Sequence, residues 1–343
     1  MIKVAVIGVG KMGMLHAGIL NGLEGVALTA VSDTSGLLLG GMKSLKPELR
    51  VYEDYLAMLD KEDVNAVVIA TPVFLHVEMA EACLKRGLPI LLEKPLSHRA
   101  AEAEHLVPIA QEKGIVTQVG YMLRYVETFM KAKEIMDTGI LGRVIHFRGT
   151  VYVSQLFRRG KGWRYDPQRS GGGVLSAQAT HLIDLLYWYF GRAALVSGHT
   201  RAWYSEQVED FAHAWIEFEN GARGWIDSSW SMRHHRLMEV EINLSCEYGS
   251  LTVSDDSLKL FLDQKKGRFN AGWTSWRRPD LFEGVEIDLG GPQYTRQDKD
   301  FIRAIREGGS VESDLASSLE VQRIVDAFYR SADSQGKPAC FST

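Results

Sequence analysis

Over residues 1 to about 122 the chain alternates short apolar runs with stretches whose apolar residues recur at helical spacing. That alternation specifies a parallel sheet covered by helices on both faces. The runs 2–7, 27–32, 66–70, 89–92 and 116–119 read as its strands, with a weaker one at 50–52. A helix is predicted over 76–86, where Val77, Met79, Ala80, Cys83 and Leu84 follow helical spacing and Gly87 supplies a C-terminal stop. After an amphipathic helix at 126–137 the period changes to two, and 144–153, 211–218, 222–229 and 239–245 read as antiparallel strands. In 211–221 apolar side chains alternate with His213, Glu217 and Glu219 before an Asn220-Gly221 turn, the hairpin signal of a half-solvated sheet. A helix at 178–190 is expected to cover that sheet, and helices at 297–307 and 314–332 close the chain. The expectation is an α/β fold: a doubly wound parallel sheet in 1–122 and an α+β domain with an open, mostly antiparallel sheet in 123–343.

Composition narrows the partners. With 343 residues, 45% of them hydrophobic, the chain can bury a core in each of two domains. Cys83, Cys246 and Cys340 are widely spaced with no CxxC pair, so neither a disulfide framework nor a thiolate zinc site is expected, and a reducing cytoplasm fits. The first apolar stretch is cut by glycines and reads as a strand rather than an export signal. No apolar run reaches the ~18 residues of a membrane span; even 182–190 is short and contains Asp184. A net charge of -4 gives no bulk attraction to nucleic acid, which leaves small molecules as the expected ligands.

Gly8-Val-Gly-Lys-Met-Gly13 lies between the first strand and a helical stretch, and Asp33 closes the second strand about 20 residues on, as a dinucleotide fingerprint requires. Gly8 permits the tight turn, Gly10 lets backbone approach a pyrophosphate, and Gly13 allows close helix–strand packing. The helix N-terminus adds N–H donors and a positive dipole end. Asp33 would accept hydrogen bonds from ribose hydroxyls and repel a 2′-phosphate, favouring NAD over NADP.

Glu93-Lys94-Pro95 directly follows a parallel strand, which places Lys94 at the carboxyl edge where such sheets bind ligands. A lysine beside a cationic or apolar neighbour can exchange a proton with a substrate hydroxyl near neutral pH. The plainer alternative is a solvated lysine at the start of a loop. Farther on, 171–184 joins a flexible glycine turn, Gly171-Gly-Gly173, to a helix on which Gln178, His181 and Asp184 share one face. Amid Leu182, Ile183, Leu185 and Leu186 that stripe is either a core network or one wall of a site. Its i, i+3 His and Asp lack the further ligands a metal needs, so no metal is expected. In 158–165, Trp163 offers an indole for stacking on a sugar or nicotinamide, and Arg164 offers a guanidinium for anionic oxygens. Arg233-His-His-Arg236 adds positive charge that would suit a sugar acid, phosphorylated sugar or nucleotide-sugar, or else forms a solvated loop.

These residues resemble the Gfo/Idh/MocA oxidoreductases, the family of glucose-fructose oxidoreductase and inositol dehydrogenase. The resemblance spans nearly the whole chain. It rests on Gly8 to Gly13 with His16, Ala70-Thr-Pro72 with His76, Glu93-Lys-Pro95, Val119-Gly-Tyr-Met-Leu-Arg124, and Gly171-Gly-Gly173 with His181 and Asp184. It implies a Rossmann domain joined to a sheet domain, with substrate over the nicotinamide between them and homodimers or homotetramers built through the sheet. The cofactor residues it implies are Gly8, Gly10, Lys11, Met12, Gly13, Asp33, Ala70, Thr71, Pro72, His76, Glu93, Lys94, Met122, Trp163 and Arg164. Substrate would meet Lys94, Arg124, Trp163, Arg164, Gln178 and His181. Lys94 would be the acid/base and His181 the group that holds the reacting oxygen. Two departures matter: Ala177 replaces an aspartate that many family members carry four residues before the histidine, and Met122 makes its wall more apolar. The expected activity is NAD-dependent oxidoreduction of a secondary alcohol or ketone on a sugar, cyclitol or sugar derivative. The alternatives are glycoside cleavage through transient oxidation by retained NAD, and a non-catalytic NAD-binding sensor.

Overall fold

Six short runs of mostly aliphatic residues form the first sheet: β1 (Ile2–Ile7), β2 (Val26–Ser32), β3 (Arg50–Tyr52), β4 (Ala66–Ile69), β5 (Ile90–Leu92) and β6 (Thr117–Val119). A computed structural model describes residues 1–341. In it these strands are all parallel, in the order β3-β2-β1-β4-β5-β6. Every residue of β4 and β5 is buried, as expected for strands covered on both faces. The observed strands follow the predicted ones to within a residue, including the short β3. The helix His76–Lys85 ends as anticipated: Gly87 takes φ +75°, its N–H donates to Leu84 O, and the Leu88 N–H donates to Cys83 O. This double bond satisfies the carbonyls of the last turn.

The chain divides into two units whose boundaries differ from the expected single cut after residue 122. The first comprises Met1–Met122 with Gly284–Leu319, and the second Leu123–Glu283 with Glu320–Thr343. The segment 284–319, expected with the second domain, belongs to the first for a physical reason. Its helix Pro292–Glu307 buries Phe301 and Ile302 in the core that contains Val4, Val6, Ile19 and Leu20.

The second unit holds a nine-stranded sheet built from β7 (Val144–Tyr152), β8 (Ala193–Arg201), β9 (Phe211–Phe218), β10 (Arg223–Ser229), β11 (Glu239–Cys246), β12 (Gly249–Ser254), β13 (Ser257–Leu262), β14 (Gly272–Arg277) and β15 (Ala339–Cys340). Their order is β14-β13-β12-β11-β7-β10-β9-β8-β15, antiparallel throughout except for the β7–β10 pair. Sequence patterning identifies β7, β9, β10 and β11 but not β8 or β12 to β15. On β9, Ala212, Ala214, Ile216 and Phe218 are buried while His213 is exposed, so the hairpin alternation holds. The helix Thr180–Phe190 covers the buried face. Phe190 lies 5.4 Å from Phe147 and 5.2 Å from Phe218 between ring centroids, and a Cβ at Gly149 would come within 2.9 Å of Leu182. The other face leaves Trp225 and Trp273 more than half exposed. Among the described residues no helix is long and apolar enough to cross a membrane.

Candidate active site

The motif residues of the first unit follow one another along the carboxyl edge of its sheet. Ala70 N donates to Ile7 O at 2.8 Å, Glu93 N to Ile69 O at 2.9 Å, and Gly120 N to Leu92 O at 2.8 Å. The loops after β1, β4, β5 and β6 therefore lie side by side, and β1 and β4 flank the point where strand order reverses. Doubly wound sheets bind ligands there.

The three glycines have separate causes. Gly8 has φ +87°, and a Cβ on it would lie 2.8 Å from Ala70 O; a Cβ on Gly13 would lie 1.8 Å from Gly8 O. Both are fixed by the protein's own packing. Around Gly10 a Cβ would meet nothing within 4 Å, so the space beside it is open. Gly10 is the N-cap of the helix Lys11–Gly22, which has no side-chain cap bond and no acid in its first turn. Its first amides, Lys11 and Met12 among them, are thus free of a side-chain cap and suited to an anion. Asp33 completes this end: Oδ2 accepts the Val9 N–H and Oδ1 the Ser35 N–H, each at 2.8 Å. The carboxylate is thereby aimed, and each oxygen keeps a lone pair for a ribose hydroxyl. The loop, the helix end and the acid fit a dinucleotide.

Farther along the edge, buried His76 lies between two loops and donates its one N–H to a carbonyl of one of them. Its Nε2 lies 2.9 Å from Thr71 O in the Ala70-Thr71-Pro72 turn, and its Nδ1 lies 2.8 Å from Pro95 O, beyond the cis Lys94–Pro95 bond. Burial pulls its pKa below the ordinary histidine value, and the two carbonyls oppose that pull. The half-buried Lys94 lies in the second of these loops, its backbone N–H donating to Glu93 Oε2 at 3.2 Å.

Glu93 itself is buried and meets an ionic cluster that spacing does not reveal. His16 Nε2 lies 3.1 Å from Glu93 Oε1, and His16 Nδ1 lies 2.9 and 3.0 Å from the two Asp298 oxygens. Burial alone would lower the imidazole's pKa; the Asp298 and then the Glu93 carboxylates outweigh it and push His16 up to about 10. Burial also disfavours charge on Glu93, but the His16 hydrogen bond prevails and lowers its pKa. For Asp298 burial prevails and raises it. The direction that decides the cluster's state is that of His16, which two carboxylates hold protonated. Gly120 makes room, since a Cβ there would lie 3.2 Å from the Glu93 carboxylate.

In the second unit the glycine turn is packed rather than flexible. A Cβ on Gly172 would lie 1.8 Å from the Tyr329 hydroxyl, and one on Gly173 would lie 1.9 Å from Glu209 O. The buried Glu209 Oε1 accepts the Gly173 and Leu175 N–H groups at 2.8 and 2.9 Å and the Tyr329 hydroxyl at 2.9 Å. Burial raises its pKa despite these donors. The following turn, Leu175–Ala179, is a π-helix before the α-helix Thr180–Phe190. The wider turn separates the expected polar stripe. Gln178 reaches Gln155, Nε2 to Oε1 at 3.0 Å, while His181 and Asp184 keep their i, i+3 relation and are buried. Asp184 receives Arg124: Nε donates at 2.9 and 3.1 Å and Nη2 at 2.6 Å, both residues being buried. One edge of the Arg124 guanidinium, expected to meet substrate, is therefore engaged inside the protein. Trp163 is half-buried, and the exposed Arg164 lies 4.5 Å over its ring. In the loop 233–236 Arg233, His234 and Arg236 are exposed, with Arg233 stacked 4.7 Å over Phe157. Met122 is buried, and Ala177 places no acid in the π-turn.

Two carboxylates escaped the sequence reading. Asp298 falls one turn before the buried Phe301 and Ile302, and an acid on an apolar face was the available signal. Glu209 lies in a polar loop and gave none.

A 3-2-1-4-5-6 parallel sheet with an uncapped glycine-loop helix and an acid just beyond β2 is the architecture of a dinucleotide-binding fold. Residues 2–121 match the model of the oxidoreductase family with an NAD-binding Rossmann fold, and residues 129–252 match the Gfo/Idh/MocA C-terminal domain. The chain belongs to the Gfo/Idh/MocA family and binds NAD. It is 27% identical over 316 residues to levoglucosan dehydrogenase of Pseudarthrobacter phenanthrenivorans, spanning 81% of this chain and 80% of that one. It is 30% identical over 254 residues to scyllo-inositol 2-dehydrogenase (NAD(+)) of Bacillus subtilis, spanning 70% and 71%. A levoglucosan dehydrogenase solved with NADH and levoglucosan shares its fold, with a TM-score of 0.88 at 23% identity over 99% of each chain.

Proposed function

We propose that this protein is an NAD-dependent dehydrogenase of a secondary alcohol on a sugar, cyclitol or related polyol. The observation that carries the reading is the position of Lys94, directly beyond β5 on the same sheet edge as the open Gly10 cradle, in a segment that meets His76 and Glu93. The inositol and levoglucosan dehydrogenases among its relatives support the substrate class. The cofactor residues proposed are Gly8, Gly10, Lys11, Met12 and Gly13 at the pyrophosphate, Asp33 at the ribose, and Ala70, Thr71, Pro72, Glu93, Lys94, Met122, Trp163 and Arg164 toward the nicotinamide end. When bound, the nicotinamide supplies the hydride acceptor.

In the oxidative direction Lys94 takes the hydroxyl proton, and His181 fixes the same oxygen by hydrogen bonding. Gln178, Trp163, Arg164 and the remaining edge of Arg124 would contact other substrate groups. Because Ala177 supplies no carboxylate, proton handling falls to Lys94 and His181 alone. Lys94→Ala should lower kcat by about 10²-fold with the far-ultraviolet spectrum unchanged. Near wild-type turnover in that folded variant would end the assignment. Appearance of NADH in step with product separates net oxidation from glycoside cleavage through retained cofactor.

The open face of the nine-stranded sheet is the surface proposed for self-association. Trp215 and Trp225 sit there with ring centroids 5.1 Å apart, and Trp225 and Trp273 are exposed. Light scattering should find a dimer or tetramer that Trp225→Glu weakens. A monomeric wild-type protein would refute it.

A further inference from the structure

The Glu93–His16–Asp298 cluster joins three distant stretches of chain: the helix after the glycine loop, the turn that carries Lys94, and the helix Pro292–Glu307. Both ring nitrogens of His16 face carboxylate oxygens within 3.1 Å. A neutral imidazole has one N–H, so it would turn a lone pair toward one carboxylate; only the imidazolium donates to both. His16 and Asp298 are fully buried, with no solvent to screen a mismatch. Glu93 then has its two oxygens divided. Oε1 is held by His16, and Oε2 accepts the backbone N–H of Lys94 at 3.2 Å. His76, Lys94 and the Tyr294 phenol are the other titratable groups whose charge couples to Glu93.

We propose that His16 is a positioning residue for Lys94: clamped by Asp298, it fixes the Glu93 carboxylate, which in turn holds the backbone of the turn that presents the lysine. The inference rests on the catalytic reading of Lys94 for its kinetic consequence only. The mechanical link between His16 and Lys94 stands or falls separately.

The test uses the whole chain with His16→Gln, and with Asp298→Asn in case the first variant does not fold. Modification of Lys94 by acetic anhydride is followed by mass spectrometry in the protein without added cofactor, with Lys113 as internal reference. The expected result is a Lys94 rate raised about threefold or more relative to Lys113, as a loosened segment opens more often. Turnover should fall roughly 10-fold to 10²-fold, the scale of a misplaced reacting group. An unchanged labelling ratio in a folded variant overturns the link. Nitrogen-detected NMR of the wild-type imidazole at pH 8 gives an arm free of any substitution, since a neutral His16 would also overturn it. If Lys94→Ala retains turnover while the labelling shift appears, the catalytic reading fails and the positioning link survives.

Discussion

The two units solve one problem, a buried carboxylate, in different ways. In the second, Asp184 meets Arg124 through a forked contact, and the guanidinium opposes the burial that raises the carboxyl's pKa. In the first, Asp298 and Glu93 share His16, whose charge depends on a proton. Arginine stays charged at any pH a protein survives, so the cation of the Arg124–Asp184 pair is permanent. The histidine cluster is conditional, and it borders the turn that presents Lys94. The contrast teaches that the fold keeps a histidine-held fastening beside the proposed proton-transfer group and an arginine-held one on the helix that carries His181.

Breaking the arginine-held pair should have the larger effect. Arg124→Ala leaves a carboxylate at full burial without its cation, and should destabilise by about 3–5 kcal/mol in urea unfolding. A loss below about 1 kcal/mol, the scale of a surface pair, would show that the two fasteners are not of the kinds described. Asp298→Asn keeps a hydrogen-bond acceptor for His16 and should cost less, about 1–3 kcal/mol, by the same measurement. The pH dependence sharpens the comparison most. With its pKa raised from 6.5 to about 10, His16 contributes stability that is fully present below pH 6.5 and is lost as pH rises through about 10. That alkaline decline should flatten in His16→Gln and persist in Arg124→Ala. An equal slope in both variants would assign the decline to other groups.

Much of this was legible in local spacing. Gly8, Gly13 and Asp33 announce themselves because the turn, the close contact and the acid just beyond β2 all lie between residues 8 and 33. Lys94 was located by the strand before it. What spacing could not supply were partners separated by most of the chain, such as Asp298, which lies 282 residues from His16. Glu209 was hidden for a related reason: its two amide donors lie in a glycine turn 34 and 36 residues earlier. The π-turn at Leu175–Ala179 was missed because a helical pattern assumes a constant period. Strands β12 to β14 are only six residues each, too short for alternation to stand out from the turns between them. The glycine triplet at 171–173 suggests freedom in the sequence and records crowding in the structure, since sequence does not show what a Cβ would strike.

The return of residues 284–319 to the first unit bears on how the chain is made. Translation runs from the amino end, so the six-stranded sheet is complete long before Phe301 and Asp298 leave the ribosome. Until then the Lys11–Gly22 helix lacks the apolar neighbours Phe301 and Ile302 and the second carboxylate of its histidine. The first unit therefore receives its last helix only after strands β7 to β14 of the other unit have been synthesised.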